Sequence, residues 1–339
     1  MSTYNRFGTP RAYIDLISNN IATGWRDLDD IIFKKISNNA VISPEEGSKS
    51  NMFDMRPSTY TKISHTDTGF WIQFDTGFAT NALAESNFLA ILNHNFADAN
   101  AVIKVYIDDD ANMSSPTTIS TTGSHYKIIN SEEGASAGEI NPAGNGWTLI
   151  TWDTKESDNQ FVRIHIEPDN GSGQSFAEDV IIGGIQYGEF IDFPQSPELE
   201  IQTTIEYEGT TLQRSLGGNT YATSTHFGQP TWHHTTPWAI TTTSNQQTYS
   251  FNERAGRISH SLKFKYLDDT DIFSLSQGST TTGSWYDSGS LHSSFYNRIL
   301  GQHLPFLFSI DKESTSTGDY GLFRLSDNKL STTQITHRI

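Results

Sequence analysis

Several short stretches carry residue types that could do chemistry, and the first is Gly134-Ala135-Ser136-Ala137-Gly138. It matches the G-x-S-x-G pattern of a nucleophile elbow, which exposes a serine on a sharp turn between a buried strand and a helix. The preceding residues, 130–133, are polar or charged, and no helical pattern follows. We therefore interpret this stretch as a loop.

The adjacent pair His233-His234 suggests a metal site. Neighbouring residues of a strand point to opposite faces, so two adjacent histidines are poorly placed to bind one ion. No carboxylate is close in sequence, and the helical H-E-x-x-H spacing is absent. We interpret the pair as part of an aromatic-rich loop or sheet contact, and we predict no metal ion and no cofactor.

Aspartates at Asp108-Asp109-Asp110 and at Asp268, Asp269 and Asp271 could supply oxygen ligands to calcium. Neither stretch has EF-hand spacing, so solvated turns are the simpler interpretation, with helix capping also possible for the second. Paired carboxylates for glycoside hydrolysis remain open, because their spacing is spatial. No motif requires catalysis, so we predict a protein that is not an enzyme and in which Ser136→Ala or His94→Ala changes no hydrolytic activity.

The charge balance narrows the possible partners. The chain has 339 residues, 39 acidic and 22 basic, with a net charge of −17. Lys and Arg form no cluster, so nucleic acids and anionic membrane surfaces are poor partners. There are no cysteines, and no apolar run reaches the ~18–20 residues that span a bilayer. No signal peptide is evident, and we expect a soluble protein made in the cytoplasm.

The elements that must position any site are predicted to be strands. Aromatic residues make up 12% of the chain on a background rich in Ser, Thr, Asn and Gly, which favours strands over helices. Strand patterns recur from about residue 41 to 194 at spacings typical of a β-sandwich, including Phe88–Leu92, Ala101–Asp108 and the alternating Phe161–Glu167. The prolines 194 and 197 mark a boundary, beyond which more strands and one short helix are predicted.

These patterns predict an arm at residues 1–40, a β-sandwich at 41–194 and a β-rich domain at 195–339. The first segment has a helical pattern broken by Asn19-Asn20 and Gly24, so we expect short helical turns that do not pack on the sandwich. Its aromatic residues are predicted to be exposed and to form an interface with neighbouring subunits. They are Tyr4, Phe7, Tyr13 and Trp25.

The order of the segments FWIQFDTG, NFLAIL, AVIKVYIDDD, WTLITWD, FVRIHIEP and VIIGGIQYGEF resembles the discoidin-like, galactose-binding-like family. The resemblance implies a jelly-roll β-sandwich in which Phe88–Leu92 and Ala101–Asp108 are neighbouring strands. Residues Asn93 to Phe96 would start their connection, with Asn and His satisfying backbone groups. The stretch LNHNFADANAVIKVYIDDD and the C-terminal QRSLGGNTY and ILGQHLPFLFSID also resemble tail and baseplate proteins of tailed bacteriophages.

The phage resemblance implies a virion structural protein, made in the host cytoplasm and located in the tail or baseplate. Its expected partners are further copies in a homo-oligomeric ring and other tail proteins, without membrane insertion. The alternative is a carbohydrate-binding module that attaches to host surface glycans through loops at the end of the sandwich. The candidate loops have few aromatic residues, which counts against sugar binding at those positions.

Overall fold

The computed structural model describes most of the chain. The described residues are 8–76, 86–119, 126–134, 138–152, 160–169, 174–198, 201–206, 210–224, 240–244, 247–251, 257–265, 267–268, 271 and 290–329. Strands dominate, which confirms the predicted mainly β fold. Gly134 and Gly138 are described, but Ser136 is not, and neither are His233, His234, Asp269, Tyr4 and Phe7.

The strands in the first two-thirds of the chain are β1 Arg11–Asp15, β2 Ile32–Lys35, β3 Thr61–Ile63, β4 Phe70–Asp75, β5 Phe88–His94, β6 Ala101–Asp108, β7 Thr117–Thr118, β8 Lys127–Ile129, β9 Glu132–Glu133, β10 Glu139–Asn141, β11 Gly146–Thr151, β12 Phe161–Pro168, β13 Val180–Ile182 and β14 Gly184–Asp192. The later strands are β15 Gln202–Glu206, β16 Thr210–Arg214, β17 Thr220–Ser224, β18 Ile240–Ser244, β19 Gln247–Phe251, β20 Arg257–Ser261, β21 Phe306–Ser309 and β22 Tyr320–Phe323.

The helical elements are short. They are the α-helices α1 Leu16–Ala22 and α2 Phe96–Ala99, the 3-10 turns Leu28–Asp30, Lys49–Phe53 and Thr317–Asp319, and a π-helical turn at Leu291–Tyr296. The last of these lies where one helix was predicted, and Gly301 follows it with φ +66°. Among the described residues, no helix is long and apolar enough to cross a membrane.

Two seven-stranded sheets form the sandwich. Sheet A has the order β22-β21-β1-β14-β5-β11-β8, and sheet B contains β2-β4-β12-β6-β10-β9 with β7 paired to β6. The alternation predicted for Phe161–Glu167 is confirmed, because every second residue of β12 is buried, starting at Val162. Ile164 and Ile166 of β12 belong to the same hydrophobic cluster as Leu89 and Ile91 of sheet A. Burial of these apolar faces holds the two sheets together.

The connection between β5 and β6 differs in one respect from the expected arrangement. The two strands belong to one sandwich, but β5 lies in sheet A and β6 in sheet B, so they are not adjacent in a sheet. Asn93 begins the crossing with φ +50° and donates from Nδ2 to the Pro57 carbonyl at 2.7 Å. Asn95 bonds the backbone of Asp179 and of Ile181. These amides satisfy backbone groups, as predicted.

The expectation that residues 1–40 do not pack on the sandwich is wrong. Arg11–Asp15 forms β1, which pairs antiparallel with β14 on one side and with β21 on the other. All five residues of β1 are buried. The spacing of apolar residues that suggested a single helix spans two elements, because it includes the end of this strand and the start of α1. β1 is a central strand, so its backbone groups form hydrogen bonds to a neighbouring strand on each side. These hydrogen bonds outweigh the local helix propensity of its residues.

The C-terminal segment also joins sheet A. β21 and β22 extend it beyond β1, and Phe306 and Phe308 pack with Phe193 and Phe295 in one aromatic cluster. The hydrogen bonds of sheet A therefore cross both of the domain boundaries predicted at residues 40 and 194. β16 and β17 pair antiparallel as a hairpin, with Gly217-Gly218 in the connecting turn.

Candidate functional site

A cleft lies between α1, the segment 26–31 and the end of β4. We call it the α1 cleft. It is open to solvent and has a cavity volume of about 20 Å³, room for one or two water molecules. The described residues that line it are Leu16, Ile17, Asn20, Ile21, Arg26, Asp27, Asp30, Ile31, Phe74, Asp75, Thr76 and Tyr187.

The floor of the α1 cleft is apolar and belongs to the sandwich core. Ile17, Ile31, Phe74 and Tyr187 are each no more than 7% exposed. The rings of Phe74 and Tyr187 contact each other edge to face, with their centroids 5.1 Å apart. The side chains of this floor come from both sheets, so their positions are fixed. The cleft therefore offers a ligand a rigid apolar surface to contact.

Local capping interactions place the outer wall of the cleft. The side chain of Asp15 caps α1 by accepting from the Ile17 amide at 3.0 Å. The helix ends at Ala22, and Gly24 turns the chain with φ +71°. Asp27 and Asp30 then form a reciprocal capping box around a 3-10 turn. The cap at Asp15 and the capping box of Asp27 and Asp30 fix the two helical elements between which Trp25 and Arg26 lie.

The rim of the cleft carries a fixed set of polar groups. Arg26 pairs with Asp75, with 3.0 Å between NH2 and Oδ2, and Gln160 Nε2 donates to Oδ1 of the same carboxylate at 2.9 Å. Asn20 Nδ2 donates to the Thr76 carbonyl at 3.3 Å. The Nε of Arg26 is buried and has no hydrogen-bond partner within the described part of the chain.

Trp25 lies one residue from Arg26 and exposes 54% of its surface. The other tryptophans that the structure describes, Trp71, Trp147 and Trp152, are at most 5% exposed. In addition, the guanidinium of Arg163 covers the ring of Trp71 at 4.1 Å from its centroid. Trp25 is therefore the most exposed of the four described indoles.

The four residues predicted to form an interface differ in their exposure and in whether the structure describes them. Tyr4 and Phe7 lie outside the described residues. The expectation that Tyr13 is exposed is wrong, because it is 1% exposed and packs edge to face on Phe88 in sheet A. Trp25 is exposed as expected. Their role as an interface stays a prediction.

His94 is a core residue. Its Nε2 lies 2.9 Å from Thr148 Oγ1, its Nδ1 accepts from the Phe96 amide at 3.3 Å, and its ring stacks on Phe96. Burial lowers the pKa of His94 to about 3, so the imidazole stays neutral at physiological pH. The side chain is 0% exposed, which leaves no surface for a substrate.

The aspartates after β6 form a self-contained loop. Asp108 accepts from the amides of Asp110 and Ser115, and Asp110 accepts from the Asn112 amide at 3.0 Å. These Asx turns agree with the interpretation of a solvated turn. In the described ranges, no group of three or more His, Cys, Asp or Glu side chains is arranged to hold a metal ion.

Sequence reasoning did not find the α1 cleft. Asn20, Arg26 and Asp75 were not singled out, since the pair Arg26–Asp75 joins residues 49 positions apart. The spacing Asp27-x-x-Asp30 was a usable signal, because it matches a helix-capping pattern at the mouth of the cleft. Trp25 was identified as an exposed aromatic, but for a different role.

Comparison with known proteins shows that this chain is similar to several solved structures. No family model matches the chain, and no curated protein matches it. One similar structure is chitosan-binding module 1 of a chitosanase/glucanase from Paenibacillus sp. IK-5, at 15% identity and a TM-score of 0.28, covering 47% of this chain and 93% of that one.

Two further similar structures are also carbohydrate-binding modules. The CBM32 of AlyQ, solved with 4,5-unsaturated mannuronic acid, has 15% identity and a TM-score of 0.26, covering 43% of this chain and 91% of that one. A pectin-binding module has 10% identity and a TM-score of 0.26, covering 44% and 90%. The predicted identity as a structural protein of a phage tail is wrong: these structures are carbohydrate-binding modules, and none of the three is a tail or baseplate protein.

Proposed function

We propose that this chain is a carbohydrate-binding module and that the α1 cleft holds the sugar. The observation that supports the proposal is an exposed indole, Trp25, directly before Arg26 in the chain, while Arg26, Asp75 and Asn20 lie at the rim of an apolar-floored cleft. The site differs from the one expected at the sequence level, since its aromatic residue comes from the turn after α1 and not from the loops of the sandwich.

The chemistry of a sugar fits these groups. A pyranose ring has a face of C–H bonds, whose partial positive charge is attracted to the electron-rich face of an indole. Its hydroxyls both donate and accept hydrogen bonds, and planar carboxylate, amide and guanidinium groups satisfy them in fixed directions. The guanidinium of Arg26, whose side chain is 29% exposed, would donate to one hydroxyl or ring oxygen. Apolar contact would supply affinity and the rim would supply orientation.

We further propose that the protein acts by binding alone. Binding needs complementarity to the ground state of the ligand, whereas catalysis needs groups that stabilise a transition state more strongly. At the rim, the carboxylate of Asp75 is engaged by Arg26 and by Gln160 at 3.0 and 2.9 Å. These interactions fix the orientation of the Asp75 side chain, whose oxygens can accept hydrogen bonds from sugar hydroxyls.

Replacing Trp25 by alanine tests the proposal. We expect at least a tenfold loss of affinity, about 1.4 kcal/mol, for whichever glycan an array identifies, because the stacking surface is removed. Isothermal titration calorimetry on the full chain measures this change, and far-UV circular dichroism checks the fold. Tyr221→Ala is the matched control, since Tyr221 is 59% exposed in the hairpin of β16 and β17. Equal affinity for the wild type and Trp25→Ala, or binding to no glycan, would contradict the proposal.

A further inference from the structure

The hairpin of β16 and β17 stands apart from both sheets of the sandwich. Within the described ranges its two strands pair only with each other, so the outer edge of each strand has free backbone groups. The side chains of residues 211–222 are exposed, with Ser215 alone half-buried. A two-stranded hairpin without a packed face is marginally stable in water. It therefore gains stability from a further strand that pairs with its edge.

The hairpin also exposes apolar surface. Leu212, Leu216 and Tyr221 are 68, 111 and 59% exposed, and they are three of the seven exposed large hydrophobic side chains in the described part of the chain. Leu212 lies at the centre of β16, directly opposite Ala222 of β17, so these two side chains share one face. Apolar side chains gathered beside an open strand edge are typical of an interaction surface.

The charge of the hairpin indicates what kind of surface can meet it. The chain carries −17, yet all 39 of its acidic residues lie outside the range 209–252, in which Arg214 is the only Lys or Arg residue. Two copies of the chain repel each other wherever their acidic surfaces come within the screening length of about 8 Å. The hairpin is a surface through which a second copy can approach without this repulsion.

The sequence of β16 fits a two-fold pairing with its own copy. In an antiparallel pairing centred on Leu212, the two Leu212 side chains lie opposite each other and each Arg214 lies opposite Thr210. One face of the resulting four strands then carries the apolar row Ala222, Leu212, Leu212, Ala222. The two guanidiniums are about 13 Å apart along the strands, which is beyond the screening length of about 8 Å. Pairing through β17 would centre on the smaller Ala222 and bury less apolar surface.

We propose that β16 joins this chain to a second copy of itself in a two-fold symmetric dimer, by antiparallel pairing of the two β16 edges about Leu212. The pairing makes one four-stranded sheet from two hairpins. Each copy supplies backbone hydrogen bonds and one Leu212 side chain to the interface. The inference is independent of the proposed function, since the hairpin contributes no residue to the α1 cleft.

Sedimentation equilibrium of the full chain tests the dimer. We expect a concentration-dependent equilibrium between monomer and dimer that shifts toward dimer as salt is raised, because salt screens the repulsion between the acidic copies. Leu212→Asp should weaken the dimer at least tenfold, about 1.4 kcal/mol, since it places two carboxylates opposite each other at the symmetry axis. Val41→Asp is the matched control. Val41 is 73% exposed and lies outside the hairpin, so this variant should dimerise as the wild type does.

Cysteine cross-linking tests the register without adding charge. The chain has no cysteine, so Leu212→Cys introduces one thiol in each copy. Opposite residues of an antiparallel pair have Cα atoms about 4.5–5.5 Å apart, within the usual range for a disulfide. We therefore expect mild oxidation to link Leu212→Cys into a covalent dimer. Tyr221→Cys, on the other strand and the opposite face, should cross-link much more slowly.

Each result supports or overturns the dimer. A wild type that stays monomeric at every concentration and salt level would overturn it, as would a Leu212→Asp variant that dimerises as strongly as the wild type. Equal cross-linking of the two cysteine variants would contradict the register. If the hairpin pairs with a glycan or with another segment of its own chain, the wild type is monomeric, Leu212→Cys does not cross-link, and the inference is wrong.

Discussion

Arg298→Ala is expected to destabilise the protein by about 3–5 kcal/mol. Arg298 is 3% exposed and forms a buried ion pair with Glu189 of β14, whose side chain is 9% exposed. Its carbonyl also accepts from Asn19 Nδ2 of α1 at 2.6 Å. Removing the guanidinium leaves a buried carboxylate without its counter-charge, which is more costly than losing an exposed pair. Urea unfolding monitored by tryptophan fluorescence gives the free energy.

Two variants show whether the buried charge is the cause. Arg298→Met combined with Glu189→Gln removes both charges and should recover most of the lost stability. Glu313→Ala breaks an exposed pair, in which Glu313 is 71% exposed and 3.5 Å from Lys127, and should change stability by less than about 1 kcal/mol. A loss below 1 kcal/mol for Arg298→Ala would refute the expectation, as would a double variant no more stable than the single one.

Stability should also depend on pH through Asp15. Burial raises the pKa of Asp15 to about 6, while hydrogen bonds from Ser18 and from the amides of Tyr187 and Ile17 oppose the rise. The folded state thus holds the proton more tightly than the unfolded state, where the ordinary value is 3.8. The stability that this proton contributes is present below about pH 4 and is lost as pH rises through 6, by up to about 3 kcal/mol.

Asp15→Asn isolates this contribution, because other carboxylates titrate over the same range. The amide retains an acceptor for Ile17 and Tyr187 and has no charge to bury. Relative to the wild type, the variant should gain up to about 3 kcal/mol between pH 4 and 7. Guanidinium unfolding at closely spaced pH values measures the difference. Asp319→Asn, at an exposed position, should show no such gain, and a constant difference for Asp15→Asn would rule out the assignment.

Strand positions could be predicted where the side-chain pattern was local. Ala101–Asp108 agrees with β6 because an apolar run ends at polar residues, and β12 agrees because Val162, Ile164 and Ile166 alternate with polar neighbours. β1 could not be predicted, because its five residues merge into α1 at Asp15, which ends the strand and caps the helix. Its pairing with β14 and β21 depends on residues far along the chain.

The candidate site was harder to predict for the same reason. Trp25 could be named from its type, but its neighbours in space come from α1, the 3-10 turn and the end of β4. The sequence also cannot show that Arg26 is paired while Asp27 and Asp30 are not neutralised. That difference depends on the distance between side chains of separate elements.

The central place of β1 in sheet A has a consequence for the order of synthesis. β1 is translated before both of its hydrogen-bonded neighbours, and β21 follows it by roughly 300 residues. At ~5–20 residues per second, the wait for β21 is on the order of 15–60 s. Until then the edge of β1 that pairs with β21 is open, so sheet A can close only after β21 has been translated.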